Sequence, residues 1–254
     1  VAAAAVAEVA VGGDVTGGIA GDVARPRTHA LTIAGQQVVL HPERALEFPA
    51  HRLLVIADVH WGKATTLRAH GIPVPRGGTR DDLARLDRLL LRTGASQLLV
   101  LGDLVHSRHA WHGAALEPVL AWRERWAALS ITLVRGNHDA HAGDPPPAMR
   151  IDTVDAPFAI AGVHAAHEPP AGAHHLAQAP GTPFTLCGHL HPNVALAGRG
   201  GDRLRLPCFV HGAGQLILPA FSTFTGRGAW TPDPQERVFA IVDDEMIEVV
   251  PRYG

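Results

Sequence analysis

A layered α/β domain with a parallel core is the architecture to expect of this chain, on three observations. Short, mostly apolar runs at 53–57, 98–101 and 131–134 read as buried strands, the first wholly apolar as expected for burial on both faces. The stretches between them repeat apolar residues at helical spacing. Strand, helix, strand, helix, strand is the pattern of parallel strands linked by crossovers. A chain of 254 residues, 46% of them apolar, has enough material to bury such a core.

The elements follow in order. Residues 1–28 are small, Gly-rich and aperiodic, and read as a flexible N-terminal tail ahead of a single domain over 29–254. The Ala/Val-rich start lacks a basic n-region, and Glu8, Asp14 and Asp22 interrupt it, so it is not read as a signal peptide. Leu31 to Ile33, a turn at Ala34-Gly35, and Val38 to Leu40 predict an opening hairpin. After the strand at Leu53–Ala57, Thr79 and Asp82 suggest a capping box. Leu83, Leu86, Leu89 and Leu90 then mark a helix that Gly94 stops. The next strand is Leu98–Leu101, followed by a helix over Glu117–Leu129 and a strand at Ile131–Val134. Past residue 155 strands dominate: Phe158–Val163, Phe184–Cys187, Leu204–Val210, Leu216–Leu218, Val238–Val242 and Met246–Val250. These suit a second sheet stacked on the first.

Bulk composition excludes several classes. A net charge of −2 provides no global positive field for nucleic acid or membrane, so DNA binding would need a local patch. No run of about 18 apolar residues suggests a membrane-spanning helix. Cys187 and Cys208 form no metal motif or disulfide framework, which fits a reducing cytosol and leaves open only a single bridge between them. A cytoplasmic location is therefore expected. Histidine is abundant, 17 residues against one Tyr, and Lys63 is the only lysine among 22 basic residues.

The chemistry lies where the strands end. The first buried strand runs into Asp58-Val59-His60, the second into Gly102-Asp103-Leu104-Val105-His106, the third into Gly136-Asn137-His138-Asp139. Later come His164 and His167, then Gly188-His189-Leu190-His191. Carboxyl ends of strands in an open α/β sheet converge on one crevice. Gathering so many ionisable groups there is costly unless positive charge compensates them. Divalent cations do so, and Asp/Asn/His donors without thiolate favour Mn²⁺, with Fe or Zn²⁺ as other choices. Asp58 and His60 are two apart, as are His189 and His191, so each pair can project to one side of an extended segment. Asp103, beside the small Gly102, suits a carboxylate shared by two cations roughly 3.5–4 Å apart.

This ordered set resembles the calcineurin-like metallophosphoesterase superfamily over residues 53–192. The resemblance implies a four-layer α/β/β/α sandwich, two stacked sheets flanked by helices, around a dinuclear centre. Carried over, Asp58, His60 and His191 would hold one cation and Asn137, a histidine of 164–167 and His189 the other, with Asp103 bridging. His164 and His167 both fit the fifth motif, and His-Glu-Pro as a strand exit favours His167. His138 is implied to reach the scissile phosphate, stabilising the transition state or protonating the leaving oxygen, with Asp139 orienting its ring. Hydroxide held between the cations would attack phosphorus in line. His106 resembles a companion outside the ligand set, whereas Lys63 and Arg108, just beyond the first two clusters, are candidates to contact a substrate phosphate, with ordinary loop salt bridges as the other reading.

A narrower resemblance comes from His60-Trp61-Gly62-Lys63-Ala64, Gly71-Ile72-Pro73-Val74-Pro75, Leu206-Pro207-Cys208-Phe209 and Leu218-Pro219-Ala220-Phe221, running into Phe224-Thr225-Gly226. These look like the bacterial ligase-associated DNA damage response endonucleases, from about residue 29 to the C-terminus. The implied role is cleavage of DNA in repair, with a DNA ligase, a helicase and a nuclease of the same pathway as partners. Trp61 and Arg227 depart from that family's pattern, at positions where substrate contacts could differ. A phosphoesterase acting on nucleotides or other small esters is the alternative, which the near-neutral charge favours. A basic groove formed by Arg68, Arg76, Arg80 and Arg108 would discriminate in favour of DNA.

Overall fold

The structure, a computed structural model, describes residues 26–69, 71–74, 78–170, 181–197, 203–212, 214–223, 225 and 228–250. The expected tail lies outside the described residues as far as residue 25. Within 26–28, Arg27 is already docked: its N–H donates to Asp244 O (2.9 Å) and its carbonyl accepts from Met246 N (3.1 Å). Pro75, Arg76, Phe224, Gly226 and Arg227 also lie outside the described residues.

The first sheet is built from β1 (His29–Ile33), β2 (Gln36–His41), β3 (Ala45–Phe48), β4 (Leu53–Ala57), β5 (Gln97–Leu101), β6 (Ser130–Val134) and β7 (Ile151–Val154), in that spatial order. The β1–β2 hairpin and β3 enter antiparallel, and β4 to β7 are parallel, as the apolar runs predicted. Sequence reading missed β3 and β7, four-residue strands with too few alternations to register.

Residues 158–249 form the second sheet. Its strands are β8 (Phe158–Ile160), β9 (Val163–Ala165), β10 (Thr185–Cys187), β11 (Pro192–Ala197), β12 (Arg203–His211), β13 (Gln215–Ile217), β14 (Gly228–Ala229), β15 (Arg237–Val242) and β16 (Glu245–Val249). The spatial order is β14-β11-β12-β13-β10-β9-β8, with β15 and β16 extending from β12. The single strand expected over 158–163 is two. Ala161 (φ 48°) and Gly162 (φ 72°) make a two-residue turn with both residues left-handed, which folds β8 onto β9.

Alternation along β4 decides the layering. Leu53, Val55 and Ala57 point between the sheets, where Leu99, Leu101 and Val134 meet Leu186, Phe209, Leu216 and Phe239. Leu54 and Ile56 point the other way, onto helices. Burying each such Leu or Phe stabilises the fold by about 1.5–3 kcal/mol, so sheet-on-sheet and helix-on-sheet contacts both hold the domain.

Four α-helices flank the first sheet: α1 (Lys63–Ala69), α2 (Gly78–Thr93), α3 (Gly113–Arg125) and α4 (Asn137–Ala142). Among the described residues no α-helix follows Gly143, and the outer face of the second sheet carries its own apolar cluster around Cys187, Val194, Cys208 and Ile217. Two stacked mixed sheets with helices on the first are the metallophosphoesterase fold.

Two helix boundaries differ from expectation. In α2, Leu83, Leu86, Leu89 and Leu90 are buried and Gly94 closes the helix at φ 65°, but the helix already begins at Gly78, so Thr79 lies inside it and not at the cap. Thr79 Oγ1 instead accepts from Gly62 N (3.4 Å), and Asp82 is buried against Arg85 (2.7 Å). Helix α3 starts earlier than Glu117 and ends at Arg125 instead of Leu129. There the Arg123 guanidinium collects the carbonyls of Met149 (2.8 Å), Leu129 (2.9 Å) and Trp126, satisfying acceptors beyond the helix end.

Candidate metal centre

Parallel register delivers the motifs to one rim. Ala57, Leu101 and Val134 are cross-strand partners at the ends of β4, β5 and β6, so Asp58, Asp103 and Asn137 leave the sheet side by side. The second sheet is tied to that rim by backbone bonds: Phe221 N to Ala57 O (2.7 Å) and Ser222 N to Asp58 O (3.3 Å).

The backbone at this rim is unusual. Asp58, His60, Asp103, His189 and His191 have φ of 53°, 49°, 50°, 66° and 45°. Left-handed geometry costs a non-glycine residue about 1–2 kcal/mol. It persists where surrounding structure enforces it, and such outliers collect at functional sites. Here it swings each side chain off its strand direction toward a common centre.

Asp58 is fully buried. Its Oδ2 accepts from His189 N (2.9 Å), while Oδ1 lies 3.2 Å from His191 Nε2 and 3.9 Å from His167 Nδ1 and has no hydrogen bond. The two Asp103 oxygens face different neighbours. Oδ1 accepts from His138 N (2.9 Å) and lies 3.5 Å from His167 Nε2; Oδ2 lies 3.8 Å from His60 Nε2. His60 is buried, and neither of its ring nitrogens has a hydrogen-bond partner. Burial, then the positive charges of Lys63, His191, His138 and His106, push its pKa down to about 2. His60 is thus a neutral imidazole with a buried, unpaired lone pair at ordinary pH.

On the other side, His167 Nδ1 lies 3.0 Å from Leu101 O. The carbonyl can only accept, which assigns the proton to Nδ1 and the lone pair to Nε2. Around that Nε2 stand Asn137 Oδ1 (2.9 Å), His189 Nδ1 (3.0 Å) and Asp103 Oδ1 (3.5 Å). One proton on His189 cannot serve so many electron-rich atoms. A cation can, and orienting a ligating imidazole through a bond to a carbonyl is the usual second layer of such sites. The donor set therefore fits divalent metal. Among the described residues three groups of side chains lie within ligand reach: Asp58, His60 and His191; Asp58, Asp103 and His167; and the all-imidazole group His60, His106 and His138.

Glycines let the motifs interlock. A Cβ on Gly102 (φ 72°) would overlap the His167 ring, and one on Gly188 would stand 2.6 Å from Asp58 Oδ2. Gly102 and Gly188, each just ahead of a candidate ligand, thus make room for a candidate ligand from the other sheet.

The remaining candidates divide. His164 sits within β9, its Cα paired with Thr185, and it belongs to none of these groups. The His138 ring is held by the His106 carbonyl, 3.1 Å from Nδ1, with Nε2 3.9 Å from Asp103 Oδ2. The ring-orienting part expected of Asp139 goes to that carbonyl. Asp139 is buried and accepts three backbone N–H groups, Gly136 (3.0 Å), Leu104 (3.0 Å) and Val105 (3.4 Å), tying the Gly-Asn-His loop to the Gly-Asp loop. Burial raises its pKa, opposed by those bonds. Lys63, at the start of α1, has its pKa lowered by burial, while Asp103 and Asp58 pull it back up. Burial also lowers that of His106. Arg108 is exposed on the following 3₁₀ turn, and His109 and His112 are exposed nearby. His174 and His175 lie outside the described residues. The His106 carbonyl and the backbone clamp of Phe221 on Ala57 have no local sequence pattern that would have revealed them.

Residues 51–158 match the calcineurin-like phosphoesterase family. The crystal structure of the Pseudomonas putida nuclease MPE is similar at 40% identity and a TM-score of 0.72, over 85% of this chain and 97% of that one. The chain belongs to the calcineurin-like phosphoesterase family. This phosphoesterase is accordingly a metal-dependent hydrolase of phosphodiesters. The E. coli phosphoesterase YfcE is similar at 19% identity and a TM-score of 0.40, over 78% of this chain and 98% of that one. A Streptococcus pneumoniae predicted phosphoesterase is similar at 16% identity and 0.28, over 75% and 83%. No curated protein sequence matches the phosphoesterase. Among the described residues no helix is long and apolar enough to cross a membrane.

Proposed function

We propose that this phosphoesterase is a DNA endonuclease of bacterial repair that works in the cytoplasm with two divalent cations, Mn²⁺ by preference. The observation that supports it most is the meeting of buried lone pairs around Asp103, in a chain 40% identical to a nuclease. Asp58, His60 and His191 would hold one cation, and Asn137, His167 and His189 the other, with one oxygen of Asp103 turned to each. When bound, the cations supply positive charge to the attacking and leaving oxygens of an in-line displacement.

The protein's own side chains supply the rest. His60, kept neutral by burial, offers its lone pair without competition from a proton. His138 Nδ1–H is committed to the His106 carbonyl, so a proton on Nε2 is the one that can pass to the leaving oxygen. Lys63, within electrostatic reach of Asp58 and Asp103, adds positive charge where the substrate phosphate would sit. Arg108 would act further out, on the flanking backbone. DNA is the substrate we assign, and a DNA ligase, a helicase and a nuclease of the same pathway are the partners, both on the narrower sequence resemblance. The small-ester alternative draws support from the net charge of −2.

The test is metal-stripped protein reloaded with Mn²⁺ and assayed on supercoiled plasmid, oligonucleotides and bis(p-nitrophenyl) phosphate. Mn²⁺-dependent nicking of plasmid is expected. Cleavage confined to the small ester rejects the nuclease assignment and leaves the hydrolase. For repair, a deletion strain that survives DNA-damaging agents as well as its parent counts against the role.

A further inference from the structure

A small cleft of about 60 Å³ opens at the same rim, beside the Asp58–His191 corner, and nothing above assigns it a role. Arg44, Asn193, Arg205, Ala220, Thr223 and Thr225 line it. Two guanidinium groups, two hydroxyls and an amide face a space that no lining carboxylate shares. Such a donor-rich wall suits an anion, and arginine forks match phosphate oxygens in particular.

Its walls are continuous with the metal corner. Asn193 is two residues past His191, buried, and donates through Nδ2 to the His191 carbonyl (2.8 Å). Ser222 N donates to Asp58 O (3.3 Å), and the Ala220–Thr223 segment runs on from that bond. The β3–β4 register, Leu46 opposite Val55, brings Arg44 level with Ala57, the last strand residue before Asp58. Arg44 is anchored there, donating to Ala220 O (3.2 Å) and Ser222 O (2.8 Å). Arg205 reaches in from β12 beside β11, exposed, and forms no ion pair with any described residue. An anion here would lie a short step beyond a phosphate held over Asp58 and His191.

We propose that this cleft is a phosphate subsite that binds the phosphodiester next to the one being cleaved, with Arg205 and Thr223 as its adjustable contacts. It rests on the polynucleotide reading above, since only a substrate with consecutive phosphates fills both places. It would let the enzyme favour a strand over an isolated ester despite its near-neutral charge. One anchored and one exposed guanidinium replace a general basic surface.

Competition tests it without requiring DNA cleavage. Initial rates of bis(p-nitrophenyl) phosphate hydrolysis are measured with thymidine dinucleotide (one phosphate) or trinucleotide (two) as inhibitor. In the wild type the second phosphate should tighten inhibition about tenfold, the scale of one charge-assisted hydrogen bond. In Arg205→Ala that gain should drop below about threefold, Arg205→Lys should keep most of it, and Thr223→Val should lose part. An equal gain in Arg205→Ala and wild type, or inhibition indifferent to the second phosphate, overturns the proposal. Should plasmid stay uncut while the second phosphate still tightens inhibition through Arg205, the nuclease assignment fails and the subsite stands.

Discussion

Substituting Gly102 by Ala separates the interlock between the sheets from ordinary backbone strain. The residue has φ 72°, and an added Cβ would overlap the His167 ring and stand 2.8 Å from its Cβ. Left-handed backbone costs alanine about 1–2 kcal/mol. The buried ring must also shift, loosening its bond to the Leu101 carbonyl (3.0 Å), for about 1 kcal/mol more. Together roughly 2–3 kcal/mol should lower Tm by about 5–10 °C in a chain this size. Activity should fall further than stability, because a ligand displaced by about 1 Å can cost about 100-fold. Gly94→Ala is the matched control: φ is 65°, but nothing lies within 4 Å of the added Cβ, so only the strain cost applies and turnover should hold. The assay pairs thermal melts with Mn²⁺ content and kcat/KM for both variants. If Gly102→Ala loses no more activity than Gly94→Ala, the steric account of the interlock is wrong.

Asp103→Asn should abolish stoichiometric binding of one cation at least and reduce kcat/KM by about 10³-fold, read by metal analysis and kinetics; full metal content with full activity defeats the bridging assignment. For His138→Ala, the loss should be larger on esters with poor leaving groups than on good ones, and equal losses argue against proton donation by Nε2. Asp82 offers a pH test. Burial, partly offset by Arg85, raises its pKa from 3.8 to about 6. A raised carboxyl pKa means the folded state favours the protonated form, so that contribution is full below pH 3.8 and is lost as pH rises through about 6. Denaturation from pH 3.5 to 7 should therefore show wild type losing stability relative to Asp82→Asn across that window, and parallel curves would refute the burial argument.

Strand identity was legible because burial on both faces leaves an apolar run, unbroken in β4 and nearly so in β5 and β6. The meeting of candidate ligands was legible too, since Asp58, Asp103, Asn137 and His189 each follow a recognisable strand end and gather at one rim. What no window of sequence contains is how distant segments meet. Two histidines competed for one place after β9, and His167 stands in the cluster because Gly102, 65 residues earlier, has no side chain to block its ring. Asp139 lies next to His138 in sequence, yet its carboxylate bonds to backbone N–H groups of another loop, leaving the ring to the His106 carbonyl. The left-handed turns at Asp58 and His60 and the cleft between Arg44 and Arg205 likewise arise only when both sheets are in place. Period and composition act over a few residues and settle which atoms are offered; side-chain packing across the two sheets settles which of them face one another.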